Sequence, residues 1–310
     1  MNNIICIAGP TASGKTALAV ELAKEMGGEV VSCDSMQIYR RMDIGTAKPT
    51  PDEMQGIRHH MIDIIEPWEP FSVSRYCEMA VPNVDDILVR GKTAIIAGGT
   101  GLYLDSLIKG NDFAPFPATG HRQRLEEQLQ SEGLEALLSQ LREVDPEAAE
   151  RSQNNPRRII RALEVYLETG ETITAHNLRT QSIPPRYQPV WLGLDFEDRA
   201  ELYRRIDLRV DLMLRHGLLD EIRALLDGGI PADCTAMQAI GYKEFVQALA
   251  GRDTVENAAE EVKKGSRHYA KRQLTWFRRN PGMNWLMRKT GQSGDEILTM
   301  ARQILRKTDN

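Results

Sequence analysis

The sequence has no long hydrophobic run. Nothing along its 310 residues approaches the roughly 20 consecutive apolar residues that a membrane-crossing helix needs. A strand is expected within a few residues of Met1, which leaves no room for a secretory leader, so the protein is expected in the cytoplasm, with no membrane partner. Cysteine is scarce. Cys6, Cys33, Cys77 and Cys234 lie far apart and form no C-x-x-C pair, which argues against a zinc knuckle and a disulfide framework. They read as reduced, mostly buried thiols. Positive charge is not in excess either: 39 Lys and Arg face 44 Asp and Glu, for a formal net charge of −5. A nucleic-acid partner would therefore have to be held by a local basic surface. Internal repeats and low-complexity segments are also absent. What remains is a chain with 41% apolar residues, enough for a core, and a length that suits one enlarged domain or two.

The N-terminal third alternates strand and helix signals. "NIICIA" is a continuous apolar run, as a strand buried on both faces would be. "KTALAVELAKEM" follows as a helix, "GGEVVSCD" as a second strand, and "KTAIIAGGTG" as a third that ends in glycines. The helical segment "VSRYCEMAVPNVDDILVRG" is expected to be interrupted or restarted at Pro82. This rhythm predicts a parallel sheet with helices on its faces. A Pro/Gly-rich break, "NDFAPFPATG" (111–120), precedes a stretch that is helical throughout, with Gly170 as a stop for its last helix. After "TQSIPPRYQPV" the segment "WLGLDF" reads as a strand returning to the sheet, and from Arg199 onward the pattern is mostly helical. The expected fold class is α/β: a P-loop NTPase-like parallel sheet core (1–112), an all-helical insertion domain (113–189), and a core completion with basic C-terminal helices (190–310).

Gly9-Pro10-Thr11-Ala12-Ser13-Gly14-Lys15-Thr16 matches G-x-x-x-x-G-K-[ST] at every position, with a strand before it and a helix after it. This is the nucleotide-binding, ATP-type phosphate loop. Its glycines let backbone N–H groups converge on an anion, and the helix N-terminus adds positive potential. Lys15 brings a point charge to terminal phosphate oxygens, and Thr16 a hydroxyl for Mg²⁺. The loop says phosphate without saying ATP. NTPases of this type usually add an acid at the end of an apolar strand, whereas "TAIIA" runs into Gly98-Gly99-Thr100-Gly101. "EVVSC" instead ends in Asp34, at the strand edge where open α/β sheets bind ligands. The strand pattern leaves Asp34 open as a magnesium ligand or a general base.

Several motifs together resemble one family, the tRNA dimethylallyltransferases. They are "GPTASGKT" (9–16), "DSMQIYRRMDIGTAKP" (34–49), "HHMIDI" (59–64), "AGGTGLY" (97–103), "RRIIRALEV" (157–165), "RVDLMLRHGLLDE" (209–221), "AIGYKE" (239–244) and "RHYAKRQLTWFRR" (267–279). They span nearly the whole chain in the family's order. The resemblance implies dimethylallyl diphosphate as donor, N6 of the adenine at tRNA position 37, 3′ of the anticodon, as acceptor, and pyrophosphate as leaving group. The loop would then cradle a leaving group held with Mg²⁺, which agrees with the missing acid after "TAIIA". It further implies Asp34 as the base, with Ser35, Met36 and Gln37 beside it against the tRNA, and Thr100 near the reacting centre at the bridging or leaving oxygen. Arg209 is a candidate for added charge on the diphosphate; a helix-surface salt bridge is the alternative.

The anticodon stem-loop needs a backbone grip and surfaces that receive an extruded base. "RRIIR" (Arg157, Arg158, Ile159, Ile160, Arg161) is one candidate, since at least two of its arginines share a helical face. The stretch from Lys263 to Arg279 is another: it is acid-free, interleaves Tyr269, Trp276 and Phe277, and puts Arg267, Lys271 and Arg278 near one face. A merely solvated charged face is the alternative there. The resemblance also points to Gln238, Ala239, Ile240, Gly241, Tyr242 and Lys243, although Tyr242 suits a core equally well. Arg122 matches the family's arginine-bearing segment only loosely and could instead face solvent. Family members often carry Gln where Arg157 stands. The adjacent His59 and His60 argue against a metal pair, and the leucines of "LRVDLMLRHGLL" read as packing. A monomer is expected. A P-loop small-molecule or nucleotide kinase is the alternative activity, but it leaves "DSMQIY" and "GGTGLY" without a role.

Overall fold

A computed structural model of the chain describes residues 4–110 and 119–308. All but the last two residues of the Pro/Gly-rich break at 111–120 lie outside the described residues, as does the expected domain start at 113. The chain forms two compact units, one from the residues up to 108 together with those from 186 onward, the other from 109–185. In chain order the first unit begins with β1 (Ile4–Ala8), α1 (Lys15–Met26), β2 (Glu29–Ser32), the single turn α2 (Pro51–Met54), β3 (His59–His60), α3 (Val73–Val89), β4 (Ala94–Gly98) and α4 (Gly101–Lys109). The second unit holds α5 (His121–Glu132), α6 (Leu134–Val144), α7 (Pro146–Ser152), α8 (Pro156–Thr169) and α9 (Ile173–Gln181). The first unit resumes with β5 (Val190–Phe196), α10 (Arg199–Arg215), α11 (Leu218–Asp227), a 3₁₀ turn (Ala236–Gln238), α12 (Lys243–Leu249), α13 (Val255–Phe277), β6 (Met283–Arg288) and α14 (Gly294–Thr308).

The expected parallel α/β class holds. Six strands pair in the order β3-β2-β4-β1-β5-β6, every pair parallel. β1 is buried along its whole length, as its unbroken apolar run requires. One core joins Ile5, Ile7, Val30, Ile95 and Leu192 to Leu18 and Leu22 of α1 and to Ile297 and Leu298 of α14. A second gathers Val210, Leu218, Ile222, Phe245 and Val262 from α10–α13 around Ile38, Tyr39 and Met42. In the helical unit, Leu125, Leu137, Leu141, Ile159 and Leu163 form the core. Its helices start and stop on sequence signals: Asn155 caps α8, Pro156 opens it, and left-handed Gly170 (φ 70°) ends it.

One expectation is corrected. Pro82 does not interrupt α3, which runs through it. A proline inside a helix costs about 3 kcal/mol, but α3 buries Tyr76, Cys77, Ala80, Val84 and Ile87, and each large apolar side chain returns about 1.5–3 kcal/mol. The C-terminal stretch is mostly helical, as expected, with one strand among its helices. "MNWLMR" is the edge strand β6, paired only with β5 and buried on one residue in three, so its sequence carries no period-2 signal.

The loop between β2 and α2 is long and irregular, and two charges organise it, half-buried Glu221 and buried Lys48. Glu221 of α11 accepts hydrogen bonds from the backbone N–H groups of Asp43 (2.8 Å), Ile44 (2.7 Å) and Gly45 (3.2 Å), and from Tyr242 Oη (2.7 Å). Lys48 Nζ donates to Tyr39 O (2.9 Å) and Asp43 Oδ1 (2.5 Å), and also reaches Asp63. Truncating Glu221 leaves several donors unpaired, each worth about 1–3 kcal/mol when buried. Glu221→Ala is expected to lower unfolding free energy by about 2–3 kcal/mol and Tyr242→Phe by about 1 kcal/mol, read from the midpoints of urea transitions.

Candidate active site

Strand register brings three loops to one level. Ala8 of β1 pairs with Gly98 of β4, and Ala97 of β4 with Ser32 of β2. The chain therefore leaves the sheet side by side at Gly9, Gly99 and Cys33–Asp34. The helices on either side of β1 are reached by different connections, which makes this edge the crevice of an open α/β sheet.

Residues 9–14 link β1 to α1, whose first residues are Lys15 and Thr16, with Gly14 as the left-handed N-cap (φ 95°). Lys15 Nζ turns back to donate to Pro10 O at 2.7 Å. Burial, reinforced by the charge of Arg209 and opposed by Asp34, pulls the Lys15 ammonium down to about 7. Arg209 projects from α10 toward the same place. Burial lowers its pKa as well, and Glu53 and Asp34 pull the other way. The salt bridge considered for Arg209 is absent among the described residues. Arg205, one turn earlier on α10, donates from Nε to Ala12 O at 3.0 Å. Ser13 is 1% exposed and its Oγ has no partner among the described residues, an orphaned hydroxyl inside the loop.

Asp34 and Thr100 stand on the neighbouring loops. Asp34 Oδ1 accepts from Met36 N at 2.9 Å, Thr100 Oγ1 accepts from Ser35 N at 3.0 Å, and the Thr100 hydroxyl reaches Ser35 Oγ at 3.3 Å. Thr100 N donates to Cys33 O at 3.2 Å, which ties the two loops together. Tyr269 of α13 completes the group. Burial and the Asp34 charge push its phenol up to about 12, against hydrogen bonding to Thr100 and Gln273. Lys15, Asp34, Thr100, Arg209 and Tyr269 thus share one electrostatic neighbourhood.

α13 docks on this turn. Trp276 Nε1 donates to Asp105 Oδ2 at 2.9 Å, and a Cβ on Gly101 would lie 2.3 Å from the indole, so only glycine fits there. Trp276 is consequently a packing residue with Arg279 over its ring at 5.2 Å, and Phe277 is 2% exposed; neither is a free platform for a base. Gln273, which the basic run around it hid from the sequence reading, accepts from Thr11 N and donates to Gly99 O. Arg205 was missed too; its only signal was its place one turn before Arg209.

Other candidates lie elsewhere, and several are corrected. Ile159 and Ile160 are 0% and 4% exposed, in the core of the helical unit, because the apolar face of α8 points inward; their side chains cannot meet a tRNA. Tyr242 is fully buried against Gly45 with its hydroxyl on Glu221, and Gly241 is buried beside it; both belong to the scaffold. The amide of half-buried Gln37 accepts from Ser32 Oγ (3.0 Å) and donates to Ala47 O (3.2 Å), which leaves one N–H and one lone pair of it unused. Ser35 and Met36 are half-buried beside Asp34. Ala239 and Ile240 are half-buried against the α10–α13 core, while Gln238 and Lys243 are exposed. Arg267 pairs with Asp207 (2.6 Å) and Arg278 with buried Asp195 (2.9 Å), while Lys271 is exposed. On the helical unit Arg157, Arg158 and Arg161 are exposed, Arg161 pairs with Glu164 (2.8 Å), and Arg122 pairs with Glu126 and Glu164 (3.3 and 3.4 Å). His60 sits between Glu29 (2.8 Å) and Asn83 (3.0 Å).

Among the described residues no three His, Cys, Asp or Glu side chains cluster as a metal cage. Mg²⁺ does not need one, because it keeps waters and takes phosphate oxygens with one or two protein oxygens. Hard donors at this edge, the Thr16 and orphaned Ser13 hydroxyls and the Asp34 carboxylate, fit that habit.

The family model described as IPP transferase matches residues 37–280. The tRNA dimethylallyltransferase of Acetivibrio thermocellus is 45% identical over 307 residues, covering 98% of this chain and 98% of that protein. That of a Thermoanaerobacter species is 49% identical over 285 residues, 91% and 90% of the two chains. Among solved structures, the full-length tRNA isopentenylpyrophosphate transferase of Bacillus halodurans superposes with a TM-score of 0.73 at 42% identity, covering 100% of this chain and 99% of that one. A eukaryotic dimethylallyltransferase acting on tRNA superposes with 0.76 at 31% identity, over 89% of this chain and 70% of that one. These matches set the kinase reading aside, and the chain belongs to the IPP transferase family, the tRNA dimethylallyltransferases.

Proposed function

We propose that this enzyme transfers the dimethylallyl group of dimethylallyl diphosphate to N6 of the adenine at tRNA position 37 and releases pyrophosphate. The observation that carries the reading is the shared sheet edge: a phosphate loop flanked by Lys15 and Arg209 lies level with an Asp34–Thr100 pair. The backbone N–H groups of 9–16, Lys15 and Arg209 hold the diphosphate. Thr16 would help to hold Mg²⁺, which would neutralise charge on that group. As N6 forms its bond to the prenyl C1, the C1–O bond breaks and its electron pair leaves with the diphosphate oxygen. Positive donors aimed at that oxygen lower the barrier. Thr100 serves there, since its long 3.3 Å bond to Ser35 lets the hydroxyl turn. The N6 proton goes to Asp34, whose Oδ1 is oriented by Met36 N.

The adenine must leave its stack to reach this edge. Ser35 and Met36 are beside Asp34 to receive it, and the exposed Arg157, Arg158 and Lys271, with Arg122, Arg161, Arg267 and Arg278 released from their acids, meet anticodon stem-loop phosphates. One copy of the chain supplies every residue named, so a monomer suffices. No described helix is long and apolar enough to cross a membrane, and a cytoplasmic site of action suits a tRNA substrate.

Labelled dimethylallyl diphosphate, Mg²⁺ and unmodified tRNA carrying two adenines after the anticodon should give label in the tRNA without ATP. Asp34→Asn should lower kcat by about 10²–10⁴. Unlabelled tRNA from folded wild-type protein would sink the reading.

Lys15 gives a second test. With its pKa held near 7 in the free protein, it must take up a proton to meet the diphosphate at higher pH. Affinity for an inert alkyl diphosphate should fall from pH 7 to 9, by up to about tenfold per unit. In Arg209→Ala the repulsion is gone and the Lys15 pKa rises. Binding should be weaker at pH 7 but its decline with pH shallower than in wild type, measured by calorimetry. The difference between the two slopes cancels the ligand's own titration.

A further inference from the structure

Gln273 lies on α13 and is 5% exposed. Its amide joins two loops that are distant in sequence. Oε1 accepts from Thr11 N at 3.0 Å, in the phosphate loop after β1. Nε2 donates to Gly99 O at 2.9 Å, in the turn after β4 that carries Thr100. The β1–β4 ladder ends at Ala8 and Gly98. The Gln273 side chain continues that ladder by one rung, offering an acceptor and a donor as a peptide group would. The fit is close: a Cβ on Gly99 would lie 2.2 Å from Gln273 Nε2. One turn before it, Tyr269 lies in the neighbourhood of Asp34, Thr100 and Gln273, and three residues after it Trp276 holds Asp105. The amide is thus fixed from both sides and from within a helix.

We propose that Gln273 is a positioning residue that sets the spacing between the diphosphate loop and the Asp34–Thr100 pair, and through them between the donor carbon and the acceptor nitrogen. This rests on the prenyl-transfer reading above. Gln273 touches neither reacting atom. The N–H groups of 12–16 and the charges of Lys15 and Arg209 remain without it, so donor binding survives its loss. What suffers is alignment in the transition state, where a displacement of about 1 Å can cost on the order of 10²-fold. The defect therefore belongs in kcat, with donor KM little changed.

The polarity of the rung supplies a readout that packing alone would not move. In Gln273→Glu the carboxylate can still accept from Thr11 N, but its second oxygen meets the Gly99 carbonyl, two acceptors facing each other. Once protonated, that oxygen donates to Gly99 O and the rung is restored. Burial at this position raises the carboxyl's pKa. In Gln273→Met the side chain keeps its length and loses both bonds at every pH.

The experiment is steady-state prenyl transfer by wild type, Gln273→Glu and Gln273→Met from pH 6 to 8.5, with donor KM and kcat resolved at each pH. At pH 8 both variants should lose about 10- to 100-fold in kcat with donor KM within about threefold of wild type. Toward pH 6 the Glu-to-wild-type ratio of kcat should climb at least about fivefold, while the Met ratio stays flat. A Glu ratio that is flat with pH, or a donor KM that rises in place of the kcat loss, overturns the proposal while active wild type leaves the transferase reading standing. Inactive wild type overturns both. Should Gln273→Glu not fold, Gln273→Met decides alone: a lost kcat at unchanged donor KM supports the role, and an unchanged kcat overturns it.

Discussion

The parallel register of β2, β4 and β1 is the constraint on which the site depends. Hydrogen-bonded strands cannot slide by less than a residue pair without turning every side chain to the opposite face. With Ala8 fixed to Gly98, and Ala97 to Ser32, the phosphate loop, the glycine turn and the Asp34 loop must emerge together. The sheet therefore brings an anion cradle and a carboxylate to one edge before any side-chain contact is made. The helix α13 then closes that edge from outside, through Trp276 over Gly101 and the Gln273 amide across the two loops.

Charge is distributed by the same logic. The chain is net acidic, and acids neutralise cations over much of its surface: Arg267 by Asp207, Arg278 by Asp195, Lys263 by Asp211 and Glu260. At the phosphate loop the balance reverses. Lys15, Arg205 and Arg209 gather there with no ion pair among the described residues, and burial lowers the pKa of each, reinforced by Arg209 at Lys15, by Arg288 and Arg204 at Arg205, and by Arg205 at Arg209. Such a concentration of unneutralised, part-buried charge costs stability in the free protein and is relieved by an anion. It is the electrostatic mark of a binding site, and it separates these cations from the basic run on α13, where several charges already have partners.

Much of the motif pattern turns out to be scaffold. "DSMQIYRRMDIGTAKP" places Asp34 at the sheet edge beside the phosphate loop, yet most of its length serves to be held. Its amides end on Glu221, its Lys48 is spent on Asp43, Asp63 and a carbonyl, and its Gln37 is occupied by Ser32 and Ala47. "HGLLDE" and "AIGYKE" supply Glu221 and Tyr242, the two groups that grip it. These segments belong together because a long irregular loop has backbone donors that must be satisfied somewhere.

The sequence alone determined the elements whose cause is local. A G-x-x-x-x-G-K-T between an apolar run and a helix pattern is a phosphate loop through its own backbone, and the continuous apolar strands already imply a parallel, doubly covered sheet. Asp34 at a strand end and Thr100 on a glycine turn were legible for the same reason. The half-exposed edge strand β6, the uninterrupted α3, and the inward turn of Ile159 and Ile160 were not, because each follows from what packs against it. Nor could the sequence tell that Arg209 comes near Lys15, or that Gln273, in a run of cations, would reach back across the chain to Thr11. Those pairings join residues as much as 262 positions apart. Only the tertiary structure decided them, since a hydrogen bond depends on where two atoms come to lie in space, and no local propensity records that distance.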